Sequence, residues 1–91
     1  MLARLMTFHE REPVQENDPR VSLLRQTVKE APGYIAGYEL VDDDTGRVYT
    51  LIIGHDGNTH AEIGRRLAAR AGSDKLGVDP DEVQTLRAYA F

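Results

Sequence analysis

Apolar residues along the chain follow two different periods, and the changes between them mark the predicted elements. Residues 2 to 9 alternate loosely between apolar and polar side chains, which predicts a first strand. After a polar loop over residues 10 to 18, Asp18 caps a helix whose first residue is Pro19. Its buried face has helical spacing and consists of Val21, Leu24, Val28 and Ala31. Pro32 and Gly33 end this helix.

The rest of the chain continues with two strands, a second helix and a last strand, so that two β-α-β halves follow each other. Strands are predicted over about Tyr34–Val41 and Arg47–Gly54, joined by a tight turn in which Gly46 takes a positive φ. Thr59 and Glu62 have capping-box spacing, so a second helix is predicted to begin at Thr59 and to end at Gly72. One face of this helix holds Ile63, Gly64, Leu67, Ala68 and Ala71. A last strand is predicted over Val83–Phe91.

The resulting order is β-α-β-β-α-β, which is the ferredoxin-like arrangement. We therefore expect an α+β fold in which residues 1 to 91 form a single domain. An antiparallel four-stranded sheet should carry both helices on one face.

The two middle strands carry apolar side chains on both faces, which two helices on one side cannot cover. Simple alternation places Tyr34, Ala36, Tyr38 and Leu40 on one face of the second strand. An uncovered apolar face is typical of an interface, so a homodimer formed through the sheet face is predicted. The alternative is that loops supply the cover.

Composition and charge narrow the function classes. The 91 residues are 41% hydrophobic, and the net charge of −4 comes from interspersed acids and bases, which argues against a nucleic-acid partner. The chain has no cysteine, so it has neither a disulfide nor a thiol nucleophile, which fits a reducing compartment. No apolar run approaches a membrane span, and the N-terminus lacks a signal-peptide core. We expect a cytoplasmic protein without a membrane partner.

The segment APGYIAGY over residues 31–38, followed by Asp44-Thr45-Gly46-Arg47, resembles the antibiotic-biosynthesis-monooxygenase-like (ABM-like) group of the dimeric α/β-barrel superfamily. The resemblance also covers the element order along nearly the whole chain. It implies a dimer whose two sheets form a barrel, with a small pocket between the sheet and the helices of each protomer. Members include cofactor-independent oxygenases of quinols or aromatic polyketides, and haem-degrading enzymes.

The chain departs from the active members of this group. The resemblance would lead one to look for an Asn on the first strand and a Trp near the pocket, but the first strand is LARLMTF and the chain has no Trp. In relatives the third strand commonly ends in Trp-Glu, whereas here it ends in Gly54-His55, which removes a large wall. Haem breakdown is therefore disfavoured.

His55 and His60 are the candidate catalytic residues, since a histidine can act as general base towards an acidic phenol. Together with Asp56 or Glu62 they could also gather round a metal. Their spacing fits no established metal motif, and local turn and capping bonds explain the cluster as well, so no metal is predicted.

The candidate ligand-binding residues are Tyr34, Tyr38, Tyr49, Arg4 and Leu67. Tyrosines on strands are commonly packing residues, and Arg4 would pair with an acid such as Glu39 across strands in the alternative interpretation. The sequence has no phosphate-binding Gly-rich loop and no nucleophile elbow, so no cofactor is predicted.

Two functions stay open. The first is a cofactor-independent monooxygenase acting on a quinol or aromatic phenol. The second is a non-catalytic dimer that binds a small hydrophobic ligand or a protein partner, and the missing Trp and Asn favour it.

Overall fold

A computed structural model of the chain describes residues 1–9, 19–71 and 80–91. The strands are β1 (Leu2–Phe8), β2 (Tyr34–Val41), β3 (Val48–Gly54) and β4 (Glu82–Arg87), and the helices are α1 (Pro19–Lys29) and α2 (Gly57–Ala71). The sheet order is β2-β3-β1-β4, and each neighbouring pair is antiparallel. The predicted α+β, ferredoxin-like order is confirmed. The predicted loop over residues 10–18, the Asp18 cap and the Gly72 cap lie outside the described residues.

Both helices pack on the same face of the sheet. Ile52 of β3, Ala31 after α1 and Ile63 of α2 form the buried core. Met6, Val28, Tyr34 and Leu67 pack against that core and complete it from both helices and from neighbouring strands. No described helix is both long and apolar enough to cross a membrane.

A β-bulge in β2 changes which side chains share a face. Tyr34 is paired with Gly54, whereas Ala36 is paired with the preceding residue Ile53, so Ile35 is the extra residue. A bulge of one residue reverses the alternation of side chains along a strand. Tyr34 therefore lies on the helix-covered face, while Ala36 and Tyr38 lie on the opposite one. The prediction that these three residues share a face was wrong, because it assumed unbroken alternation.

Helix α2 begins at Gly57, two residues before the predicted start at Thr59. Its N-cap is Asp56, whose Oδ1 accepts a hydrogen bond from the Thr59 backbone N–H at 3.0 Å. That bond holds the pKa of Asp56 below its ordinary value. The capping-box interpretation was wrong because Asp56 occupies the cap and Glu62 bonds to Arg65 and Arg66 instead.

Strand β4 ends at Arg87 and not at Phe91, because its partner strand stops there. Arg87 is paired with Leu2, the first residue of β1, and beyond this pair Ala88 N–H donates to Met1 C=O at 3.0 Å. At the β2–β3 turn, the predicted positive φ of Gly46 is confirmed at 74°.

Candidate functional site

The helix-covered face of the sheet brings several charged and polar side chains under the helices. Register places Arg4, Ile52 and Gly37 in one row across β1, β3 and β2, and Met6, Thr50 and Glu39 in the next row. Residues in register share a face. We call Arg4, Tyr34, Glu39, Ile52 and Leu67 the interior site.

Tyr34 reaches along its own strand into the first of these rows. A Cβ built on Gly37 would lie 3.2 Å from Tyr34 Oη and 3.6 Å from Tyr34 Cε2, so the ring covers the bare backbone of Gly37. Gly37 therefore makes room for this tyrosine, whose hydroxyl lies beside the row of Ile52 and Arg4.

Two polar atoms of the interior site are buried without a hydrogen-bond partner in the described part of the chain: Arg4 Nε and Glu39 Oε1. The alternative interpretation of Arg4, which paired it with Glu39 across strands, was wrong. Glu39 Oε2 lies instead 3.8 Å from Arg25 Nη2 of α1. A buried polar group without a partner costs about 1–3 kcal/mol. These two atoms are therefore the chemically unsatisfied part of the interior site.

The helices do not seal this face. Arg4 and Glu39 keep part of their surface exposed, as do Thr50 on β3, Val28 on α1 and Leu67 on α2. Gly64 on α2 is exposed, and a Cβ built there would meet no atom within 4 Å. Close packing of α2 on the sheet therefore does not explain Gly64.

The two candidate histidines are held in different ways. His60 is 2% exposed, and its Nε2 lies 2.8 Å from the carbonyl oxygen of Leu2, so Nε2 carries a proton and donates it. This bond ties α2 to the start of β1. His55 is exposed, and its backbone N–H donates to Gly33 C=O at 2.9 Å.

A metal site is not assembled by the acids and histidines of the described residues. No group of three or more such side chains is placed to hold an ion there. Glu62, which the sequence offered as a ligand, bonds instead to the guanidinium groups of Arg65 and Arg66, and these bonds lower its pKa to about 2.

The structure divides the predicted ligand-binding residues between the two faces. Arg4, Tyr34 and Leu67 lie together on the helix-covered face, whereas register places Tyr38 and Tyr49 on the opposite face. That opposite face, which we call the open face, has no described helix over it. It carries Leu5, Ala36, Tyr38, Leu40, Tyr49, Leu51, Ile53 and Leu86.

Sequence reasoning missed Glu39 as a site residue and treated it only as a partner for Arg4. The available signal was an acid within an otherwise apolar strand, two residues beyond Gly37. An acid in such a strand either faces solvent or is buried, and a buried charge is costly unless it is paired. The register now places it on the helix-covered face.

A concavity lies at the end of the β2–β3 hairpin, away from the interior site. It is an open cleft of about 570 Å³ lined by Leu40, Val41, Tyr49 and three aspartates, Asp42, Asp43 and Asp44. Asp42 Oδ1 accepts hydrogen bonds from Asp44 N and Thr45 N, and the Asp44 bond lowers the pKa of Asp42 most. The carboxylate therefore builds the turn, and we assign no ligand to this cleft.

No family model and no curated protein sequence matches the chain. Solved structures do match its fold. Rv0793 from Mycobacterium tuberculosis superposes with a TM-score of 0.63 at 17% identity, covering 99% of this chain and 96% of that one. A Chloroflexus aurantiacus J-10-fl protein with the provisional name antibiotic biosynthesis monooxygenase gives 0.61 at 12% identity, covering 99% and 94%.

A third structure, named antibiotic biosynthesis monooxygenase, gives a TM-score of 0.57 at 15% identity, covering 99% of this chain and 100% of that one. At these identities the likeness concerns the backbone arrangement alone. The chain therefore has the ABM-like, ferredoxin-like fold that its sequence predicted.

Proposed function

We propose that the protein binds a small aromatic phenol or quinol in the interior site and oxidises it with O₂ without a cofactor. The observation that carries this proposal is Arg4 Nε, a buried cationic donor without a partner in the described residues, in register with Ile52, against whose core cluster Tyr34 packs. Ligand sites commonly combine apolar walls with a few polar groups of this kind.

The residues of the site suit the first step of such a reaction. A positive charge near a phenol favours its ionised form, so Arg4 would lower the pKa of a bound phenol. Glu39 Oε1 is an acceptor that could take the proton. A phenolate is electron-rich and can itself supply the four electrons that O₂ takes up. One oxygen atom replaces the hydrogen of a ring C–H bond and becomes a carbonyl oxygen, the hydrogens of that C–H bond and of the phenol O–H leave with the other oxygen atom as water, and the phenol becomes a quinone.

A non-catalytic binding protein is the second candidate function, and the position of His60 favours it. Its Nε2 is committed to the Leu2 carbonyl, and His55 is exposed at the start of α2. The interior site as defined contains no histidine base, so the reaction would depend on Glu39. Binding needs only Arg4 and the apolar walls.

In either case we propose a homodimer joined through the open face. On this face the exposed fraction is 57% for Tyr38, 44% for Leu40 and 45% for Leu86. A contiguous apolar patch of this kind is costly in water and is typical of subunit interfaces. The dimer would leave both interior sites on the outer, helix-covered sides.

The test measures binding by thermal shift and turnover with an oxygen electrode, using hydroquinone and a polycyclic phenol. The wild type is compared with Arg4→Met, and with Arg47→Met as a matched loss of an exposed arginine away from the site. Stabilisation with O₂ uptake that fails only in Arg4→Met supports the oxygenase. Stabilisation without uptake selects the binding protein, and no stabilisation by any compound overturns both.

A further inference from the structure

We infer that the interior site selects an aromatic ring with an anionic group at one end and a hydroxyl donor at the other, that is, a hydroxylated aromatic acid. This inference rests on the proposed function, because it names the class of ligand for the same site. It comes from two buried polar atoms that have no hydrogen-bond partner among the described residues, Arg4 Nε and Glu39 Oε1.

Arg4 specifies the anionic end. A guanidinium group is charged at any accessible pH and can only donate hydrogen bonds. Its Nε–H and one neighbouring Nη–H form a planar fork that matches the two oxygens of a carboxylate. Because Arg4 Nε has no partner in the described part of the chain, the fork can donate to a carboxylate without breaking an existing bond.

Glu39 specifies the opposite end. Its Oε2 lies 3.8 Å from Arg25 Nη2. A carboxylate oxygen accepts hydrogen bonds, so the buried Oε1 requires a donor and repels a second anion. A hydroxyl group satisfies both conditions.

The sheet sets the distance between the two ends. Arg4 on β1 and Glu39 on β2 flank β3 in neighbouring rows, about 10 Å apart across the sheet and about 7 Å apart along it, so their backbones lie about 12 Å apart. Ile52 and Thr50 of β3 form the floor between them. Once both side chains extend into this gap, a single ring with polar groups at opposite ends spans the remainder.

The experiment measures the affinities of three probes by calorimetry: 4-hydroxybenzoate, benzoate and phenol. Each is titrated into the wild type, Arg4→Met and Glu39→Gln. We expect the wild type to bind 4-hydroxybenzoate most tightly. Arg4→Met should weaken 4-hydroxybenzoate and benzoate by ~10-fold or more, and should weaken phenol, which has no carboxylate, by a smaller factor. Glu39→Gln should weaken 4-hydroxybenzoate and phenol and spare benzoate.

The failures of the inference and of the proposed function are distinguishable. If hydroquinone or phenol binds as tightly as 4-hydroxybenzoate, or if Arg4→Met leaves benzoate unaffected, the acid class is wrong while the aromatic site stands. If none of these compounds nor hydroquinone binds, the proposed function is wrong as well. Thermal unfolding checks both variants. Should either fail to fold, the order of the three wild-type affinities decides alone.

Discussion

The methyl group of Thr59 occupies the space that a side chain at Gly54 would need. A Cβ built on Gly54 would lie 2.8 Å from Thr59 Cγ2 and 3.3 Å from His60 Nε2. The last residue of β3 is therefore bare because the first turn of α2 lies against it. The same turn carries His60, whose bond to Leu2 ties the helix to the neighbouring strand.

Gly54→Ala should destabilise the protein by about 1–3 kcal/mol, because the added methyl overpacks this junction. Urea unfolding followed by circular dichroism measures the loss. Thr59→Ser removes the opposing methyl and keeps a hydroxyl near Asp56, so the double variant should recover part of the stability. A Gly54→Ala protein as stable as the wild type would contradict the contact.

Gly64→Ala should have the opposite effect, and it serves as the matched control because it lies on α2, the helix whose first turn contacts Gly54. Nothing lies within 4 Å of the added Cβ, and alanine is favoured over glycine inside a helix by about 1 kcal/mol. The midpoint of thermal unfolding should rise by roughly 4–8 °C for a domain of this size. A fall in the midpoint would mean that α2 packs more closely at Gly64 than described.

Local chemistry predicted much of the fold from the sequence, and two residues show where such reasoning stops. Gly46 could be placed at a positive φ because a turn between two apolar runs demands it. Ile35 could not be recognised as a bulge, because an extra residue in a strand leaves no mark in its composition. This missed bulge also affected the candidate site, because unbroken alternation places Tyr34 on the same face as Tyr38, whereas the two lie on opposite faces.

The pairing of charged residues was equally hard to predict. Glu39 has two arginines within plausible reach, and the choice of Arg25 over Arg4 depends on how α1 crosses the sheet. That crossing is a property of tertiary packing and not of spacing along the chain. The sequence did identify Arg4 as unusual, because an arginine in an apolar strand needs a reason.

Tyr38→Glu should convert the proposed dimer into monomers, because two carboxylates would meet across an apolar interface. Analytical ultracentrifugation at several concentrations measures the change. Leu23→Glu is the control, since Leu23 on α1 is 49% exposed but lies away from the sheet. A wild type that is monomeric at all concentrations would contradict the proposed interface.

Glu62→Gln should lower the thermal midpoint by a few degrees near pH 6 and by almost nothing near pH 2. The pKa of Glu62 is lowered to about 2 by hydrogen bonds from Arg65 and then Arg66. A depressed pKa contributes stability above the ordinary value of about 4.3, and this contribution is lost as the pH falls through the folded value.

The comparison of midpoints between wild type and Glu62→Gln, measured from pH 6 to pH 2, isolates this carboxylate from the other acids, which titrate in both proteins. High salt should shrink the difference, because the group is at the surface. A difference that stays constant across this pH range would show that the arginine bonds do not hold the carboxylate in solution.

The bulge at Ile35 determines which side chains of β2 lie on each face of the sheet. Before the bulge Tyr34 lies on the helix-covered face with the interior site, and after it Tyr38 lies on the open face, which is the proposed subunit interface. Removing one residue here would move Tyr34 to the other face of the sheet, relative to the rest of β2, without changing the residue itself. A single-codon deletion or insertion at this position is therefore a short evolutionary route to a change in the side chains that face the interior site or in those that face the proposed subunit interface.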